Sequence, residues 1–328
     1  MKPQFTQTAV VGTGAMGRGI AQIAAQAGSQ VWLFDNAPGA AAQAKQALSQ
    51  QWQKLQEKGK YTAEQIQAFE HNLCVAESLV DLKSCDLVIE AIVEKLEVKQ
   101  AVFAELEAIV SPDAVLASNT SSLSITAIAA LLKHPERLAG YHFFNPVPLM
   151  KVVEVIAGLK TNAAVCERLS QYAREMGHTP VSAQDTPGFI VNHAGRAYGT
   201  EALRIVGEQV ADFTTIDRIL RDQMGFRLGP FELFDLTGLD VSHPVMESIY
   251  HQYQEEPRYR PSVITAQRLA GRVLGRKTQA GFYAYPEGKP NVPEEPSAPS
   301  VDEMPPVWVS SRAARRAELF QLLKDLGA

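Results

Sequence analysis

His142 and Glu154 lie twelve residues apart, and each sits where its polarity needs an explanation. Glu154 interrupts Val152-Val153-Glu154-Val155-Ile156, a run that reads as a buried strand. A carboxylate in such a run is costly unless it is paired. His142 is flanked by Tyr141, Phe143 and Phe144 and raises the same question. If the two side chains meet, each accounts for the other. The chemistry available to such a pair is proton transfer, with the imidazole as acceptor and the carboxylate orienting it from its second nitrogen. Oxidation of an alcohol, which loses hydride from carbon and a proton from oxygen, would use that base. A core histidine satisfied by a structural carboxylate fits the spacing equally well.

A second constellation is Gly12-Thr13-Gly14-Ala15-Met16-Gly17, which follows the β-prone residues Thr8–Val11. In a strand–turn–helix setting, Gly12 permits the tight turn and Gly14 lets backbone approach a pyrophosphate. Gly17 lets the helix pack close to the sheet. The unpaired N–H groups of the helix N-terminus suit the phosphates. Asp35 follows Gly12 by 23 residues, at the end of the next strand, Gln30–Phe34. A carboxylate there accepts ribose hydroxyls and repels a 2′-phosphate, which favours NAD over NADP. On the motif alone FAD stays open, as does a glycine-rich turn beside a surface aspartate.

Three smaller features add candidates. Ser118-Asn119-Thr120-Ser121-Ser122 should lie at the carboxyl end of a buried strand. Asn192, in Pro187-Gly188-Phe189-Ile190-Val191-Asn192, could donate to a substrate carbonyl or simply end a helix. Lys54, Lys58 and Lys60 could meet a phosphate or form a solvated helix face. The other histidines, such as His71 and His251, have no motif around them and read as surface residues.

The elements that must position these residues alternate. Strands are expected at Thr8–Val11, Gln30–Phe34, Asp86–Glu90, Ala114–Ser118, Leu138–Phe143 and Lys151–Ile156. Helical segments separate the earlier ones, including two between Ala40 and Phe69 that break near Gly59. This pattern implies a mostly parallel sheet with helices on both faces. The fold class is therefore α/β, with an N-terminal Rossmann-like doubly wound sheet and an all-α C-terminal domain. Asp185-Thr186-Pro187-Gly188 marks the boundary, giving domains at 1–185 and 186–285. In 286–328, seven prolines between Pro286 and Pro306 read as an extended linker. An amphipathic helix follows at Ser311–Leu326, with Ala314, Leu319, Leu322, Leu323 and Leu326 along one stripe.

The composition sets limits on function. A chain of 328 residues has room for two cores, and its net charge of −5 argues against nucleic acid as a partner. The three cysteines, Cys74, Cys85 and Cys166, form no CxxC pair, so neither a metal site nor a disulfide framework is expected. No apolar run approaches the roughly 18 residues that span a membrane. MKPQFTQT resembles no signal peptide, and the reading is a cytoplasmic protein.

Taken together, GTGAMGRGIA, DLVIEAIVE, SNTSSLSIT, HFFNPVPLMKVVEV, DTPGFIVN, GPFELFDLTGLD and LGRKTQAGFY closely resemble the short-chain L-3-hydroxyacyl-CoA dehydrogenase family. The resemblance runs from about Thr8 to Tyr285 and is far more specific than any single motif. It implies NAD-dependent oxidation of a 3-hydroxyacyl-CoA, with His142 as base, Glu154 as its partner, and Ser121 and Asn192 holding the hydroxyacyl group. It also implies NAD contacts at Asp35, Glu94, Lys99, Asn145 and Lys277, a CoA contact at Lys58, and a homodimer formed through the helical domains. Phe231, Leu233, Phe234 and Leu236 could serve that interface or fill the core. The chain departs from the family at Gln51, where a hydroxylated CoA contact is usual. It departs again at His193, where arginine is frequent, and at Gln279, where glycine is usual.

Arg258–Ser262 and the stretch FRLGPFELFDL are most similar to longer bacterial members associated with phenylacetate breakdown, which act on 3-hydroxyadipyl-CoA. Those members continue past a linker into a second helical domain. A dehydrogenase of a free hydroxy or sugar acid, and a non-catalytic NAD-binding protein, are the two rival readings.

Overall fold

Strands, the central ones buried on both faces, organise the first part of the chain in the computed structural model, which describes residues 3–294 and 307–326. They are β1 (Gln7–Val11), β2 (Gln30–Phe34), β3 (Leu73–Val75), β4 (Leu87–Glu90), β5 (Val115–Ser118), β6 (Leu138–Phe143), β7 (Val152–Ala157) and β8 (Thr179–Gln184). One sheet joins them in the order β3-β2-β1-β4-β5-β6-β7-β8. Neighbouring strands are parallel except for β6 and β7, which pair antiparallel with His142 opposite Glu154.

Alternation along each strand feeds two cores. On one face Val10, Leu33 and Ile89 pack with Ile20, Leu48, Trp52, Ile66 and Leu169. Those helical residues come from α1 (Ala15–Gln26), α2 (Ala40–Glu57), α3 (Ala63–His71) and, after α4 (Leu96–Ile109) and α5 (Ile125–Ile128), from α6 (Ala163–Glu175). On the other face Ala9, Val11, Val88 and Leu116 meet Phe103 and Leu106 of α4 and Ile125 and Ile128 of α5. Successive residues of β1 thus serve opposite layers, the requirement of a strand covered on both sides. The chain winds outward from β1 to β3, then crosses back to β4 on the other side of β1. That reversal opens a crevice at the carboxyl ends of β1 and β4, where doubly wound sheets bind ligands.

Two strands differ from the sequence expectation by being present at all. β3 has only three residues, and β8 is a mixed run containing Pro180, tolerated because the strand lies at the sheet edge. Both gain their structure from a neighbouring strand rather than from an apolar period of their own.

After β8 the described chain up to Tyr285 is helical. It forms α7 (Val191–Ala194), α8 (Arg196–Gly207), α9 (Phe213–Arg218), α10 (Pro230–Thr237), α11 (Leu239–Gln252) and α12 (Val263–Ala270). Leu203, Phe231, Phe234, Met246, Phe282 and Tyr285 make its core. Of the four apolar residues on α10, Phe231 and Phe234 are buried whereas Leu233 and Leu236 are exposed, so core filling describes only two of them. Two histidines read as surface residues prove buried. His178 Nε2 lies 3.0 Å from the Val147 carbonyl, and His243 Nδ1 lies 2.9 Å from the Thr265 hydroxyl. Their partners are distant in sequence and carry no local signal.

The return segment Gly275–Tyr285 is tied down by the buried Asp235, which accepts from the Phe282 and Tyr283 N–H groups and the Tyr285 hydroxyl. Gln279 within it has φ +57°, the left-handed conformation that glycine tolerates without penalty. Gln279→Gly should therefore raise stability by about 0.5 kcal/mol, the relief of strain exceeding the added freedom of the unfolded chain. Thermal unfolding with an unchanged or lowered Tm would show that the turn is not strained by the glutamine.

Residues 291–328 form a separate unit, in which α13 (Arg316–Asp325) leaves Leu319, Leu322 and Leu326 exposed. Most of the Pro286–Pro306 stretch lies outside the described residues. No helix among the described residues is long and apolar enough to cross a membrane.

Candidate active site

The glycine turn between β1 and α1 is shaped by clashes that side chains would make. A Cβ on Gly17 would lie 1.8 Å from the Gly12 carbonyl oxygen, and one on Gly12 would lie 2.6 Å from that of Ala91. Gly12 also has φ +94°. At Gly14, by contrast, no atom lies within 4 Å of an added Cβ, so this backbone faces open space at the start of α1. Asp35, at the end of β2, accepts from the Thr13 N–H at 2.7 Å, the Thr13 hydroxyl at 2.8 Å and the Ala37 N–H at 3.0 Å. Desolvation pushes its carboxyl up, but the hydrogen bonds from Ala37 and Thr13 outweigh it and hold the pKa below the usual carboxylate range. An open glycine, a helix N-terminus and a carboxylate ionised at neutral pH together fit a dinucleotide with a free ribose.

A chain of charges runs beside this cradle. Glu90, fully buried at the end of β4, takes the Lys99 ammonium at 2.6 Å and the hydroxyl of its register partner Ser118 at 2.6 Å. Lys99 Nζ also meets Glu94 at 3.2 Å. Glu94 Oε1 accepts from the Thr120 hydroxyl at 2.6 Å and the Ser121 N–H at 2.8 Å. Burial raises the Glu94 pKa, but Lys99, Thr120 and Ser121 bring it below the usual value. Lys99 is enclosed rather than presented to the cleft, and it acts on the Asn119–Ser122 loop through Glu94.

The sequence-predicted base and its partner are brought together. His142 Nδ1 lies 2.6 Å from Glu154 Oε2, the antiparallel register of β6 and β7 placing the residues opposite each other. The second oxygen of Glu154 accepts from the Ile190 and Val191 N–H groups, each at 2.9 Å. Those donors are aimed by a tight turn in which Gly188 has φ +78° and Phe189 has φ +50°, left-handed for a residue with a side chain. Glu154 is fully buried, which raises its pKa, yet bonds from His142, Val191 and Ile190 leave it below the usual carboxylate range. Phe144 and Phe189 wall the imidazole, with ring centroids 4.5 and 5.9 Å away. With Nδ1–H donating to Glu154, Nε2 is left as the proton-accepting nitrogen.

Asn192 Nδ2 donates to the Ser121 carbonyl at 3.1 Å, joining α7 to the loop after β5. His142, Ser121, Asn192, Glu94 and Asn145 all line one cleft of about 500 Å³, whose far wall comes from α8, α10 and α11. Lys58 and Lys277 are not among its lining residues. Lys58 is exposed at the end of α2, and Lys277 is bonded to Asp240 at 2.7 Å.

Sequence reasoning missed Glu90, although a carboxylate closing the apolar Leu87–Ile89 strand was a usable signal. It also missed Asp185, which accepts from the Ser124 hydroxyl and the Ile125 and Thr126 N–H groups at the start of α5. Arg196, four residues beyond Asn192, lines the same cleft and was overlooked too.

Comparison with known proteins gives a consistent result. The family model described as 3-hydroxyacyl-CoA dehydrogenase, NAD binding domain, matches residues 7–186, and its C-terminal domain counterpart matches 188–285. The chain is 45% identical over 277 residues to 3-hydroxyadipyl-CoA dehydrogenase of Escherichia coli K12, covering 84% of this chain and 58% of that relative. It is 40% identical to a probable 3-hydroxybutyryl-CoA dehydrogenase of Deinococcus radiodurans, covering 84% of this chain and 99% of that one. The crystal structure of an E. coli K12 3-hydroxybutyryl-CoA dehydrogenase superposes with a TM-score of 0.85 at 42% identity, over 92% of this chain and 62% of that one.

Proposed function

Because the chain belongs to the 3-hydroxyacyl-CoA dehydrogenase family, we propose that it oxidises the 3-hydroxyl of an acyl-CoA to the 3-oxo compound. The observation that carries this reading is the His142–Glu154 pair at 2.6 Å, opening onto a cleft beside the glycine cradle. The N-terminal part is an NAD-binding domain, and bound NAD supplies the acceptor for hydride from C3. Gly12, Gly14 and Gly17 with the start of α1 would take the pyrophosphate, Asp35 the ribose, and Glu94 and Asn145 the side facing the cleft. Asp35 favours NAD over NADP, since a 2′-phosphate would meet a carboxylate.

The chain's own residues then handle the proton. Nε2 of His142 takes it from the 3-hydroxyl as the C3–O bond becomes a carbonyl. Glu154 remains ionised and stabilises the resulting imidazolium across Nδ1–H. Ser121 and Asn192 hold the hydroxyl and thioester end, and Glu94 with Lys99 fixes the loop that carries Ser121. Phe144 and Phe189 keep water from the imidazole.

The acyl group is proposed to be short, with 3-hydroxyadipyl and 3-hydroxybutyryl the favoured cases given the relatives' names. The proposed organisation is an NAD-binding domain at 1–185, a helical domain at 186–285 and a terminal segment, with Leu233 and Leu236 open to a second copy. The decisive experiment follows NADH consumption with acetoacetyl-CoA and with 3-oxoadipyl-CoA. Rapid turnover of either supports the reaction class. Tight NADH binding with no turnover of either would sink it.

A further inference from the structure

We propose that Arg196 is the receptor for a carboxylate at the far end of the acyl chain, so that the cleft is built for ω-carboxylated acyl-CoA substrates. This rests on the reaction class proposed above and narrows it.

Arg196 lines the cleft that holds His142, Ser121 and Asn192. Its Nε and Nη1 are buried and have no hydrogen-bond partner among the described residues. Burial pulls its pKa down, and no acidic neighbour among the described residues opposes that. Arg137 and Arg268 each leave only a single buried Nε without a partner, and the rest of each group is compensated. Arg137 donates to the Ser111 and Glu107 carbonyls at 2.6 and 3.0 Å. Arg268 lies 4.3 Å from the Phe282 ring centroid, and Asp235 favours its charge. Two buried guanidinium nitrogens without an acceptor are costly to retain, which marks Arg196 as awaiting one.

Placement says which anion. Gly195 keeps helical dihedrals between α7 and α8, so Asn192 and Arg196 lie on one face, about 5–6 Å apart at Cβ. Arg196 is therefore one turn from the residue bonded to the Ser121 carbonyl. The diphosphate of CoA is separated from the thioester by the whole pantetheine arm, too far for a residue this near the reacting carbon. Phe144, Phe234, Val241 and Val245 line the same cleft. Methylenes suit that lining, and a terminal carboxylate would then reach the guanidinium, which can bind it with two parallel hydrogen bonds.

The test compares kcat/KM for 3-oxoadipyl-CoA and acetoacetyl-CoA in the full chain and in Arg196→Met and Arg196→Lys. The ratio of the two should fall by roughly 100-fold in Arg196→Met, with Arg196→Lys intermediate because an ammonium lacks the fork. A ratio that stays constant while both rates fall would assign Arg196 to the part the substrates share and overturn the proposal. A second arm uses the unaltered protein, comparing adipyl-CoA with hexanoyl-CoA as inhibitors of equal chain length. The carboxylated compound should bind at least about tenfold more tightly, and equal inhibition overturns the proposal even if the variants fail to fold. Absence of turnover with both 3-oxoadipyl-CoA and acetoacetyl-CoA would instead remove the reaction class itself.

Discussion

Replacing His142 with glutamine should lower kcat for 3-oxoacyl-CoA reduction, and for the reverse oxidation, by roughly 10²–10⁴ while leaving NADH affinity nearly unchanged. Glutamine is the informative choice because its amide can still donate to Glu154, which is fully buried and bonded to His142 at 2.6 Å. Alanine would leave that carboxylate short of a donor and confound lost chemistry with lost stability. The glutamine amide has no basic nitrogen, so what disappears is the proton acceptor alone. Steady-state rates with an NADH fluorescence titration separate the two effects, and a rate within a few-fold of the parent would remove His142 from the mechanism. Acid should act through Glu154. Its folded pKa lies below its unfolded value near 4.3, so its stabilising contribution is complete above that value. The contribution is lost as pH falls through the folded pKa.

The second large effect distinguishes two glycines three residues apart. Gly17→Ala would place a methyl 1.8 Å from the Gly12 carbonyl oxygen, so α1 must lift from the turn that holds it. Overpacking of this kind costs about 1–3 kcal/mol or more, and here it also dismantles the cradle. Both Tm and NADH binding should drop. Gly14→Ala meets no atom within 4 Å, and its φ of −62° suits alanine, so Tm should hold. NADH affinity should still fall at least about tenfold, because the methyl occupies the side open to the phosphates. If Gly14→Ala binds NADH normally, the pyrophosphate does not pass over this backbone. If Gly17→Ala keeps both its Tm and its affinity, the helix has more freedom than the contact distance allows.

What could be read in advance followed the strength of local patterns. β1 and β2 with the glycines between them are announced by apolar runs and by residues that admit no side chain. The His142–Glu154 pair could be inferred because a charge in Val152–Ile156 demands a partner. β3 and β8 could not be found this way, since three residues or a run through Pro180 have no period to detect. His178 and His243 illustrate a similar limit. Each is buried against an acceptor that only the folded chain brings close, a carbonyl 31 residues away for one and a hydroxyl 22 residues away for the other. Arg196 was within reach of sequence reasoning, because a cation one helical turn from a candidate polar residue shares its face.

The single antiparallel pairing in the sheet also bears on how the family can vary. Opposite residues on β6 and β7 are matched by backbone hydrogen bonds, so the proposed base His142 and its partner Glu154 share a rung of the ladder. Lengthening or shortening the connection from Phe144 to Lys151 leaves that rung in place, whereas slipping the pairing by one residue turns every side chain of a strand to the opposite face. Insertions and exchanges should accordingly be tolerated in the loops and helices that line the cleft. A deletion inside Val152–Ala157 would separate the His142–Glu154 pair at a stroke. On the proposed mechanism, substrate preference can therefore drift by natural variation around a His142–Glu154 pair whose geometry is held by strand register.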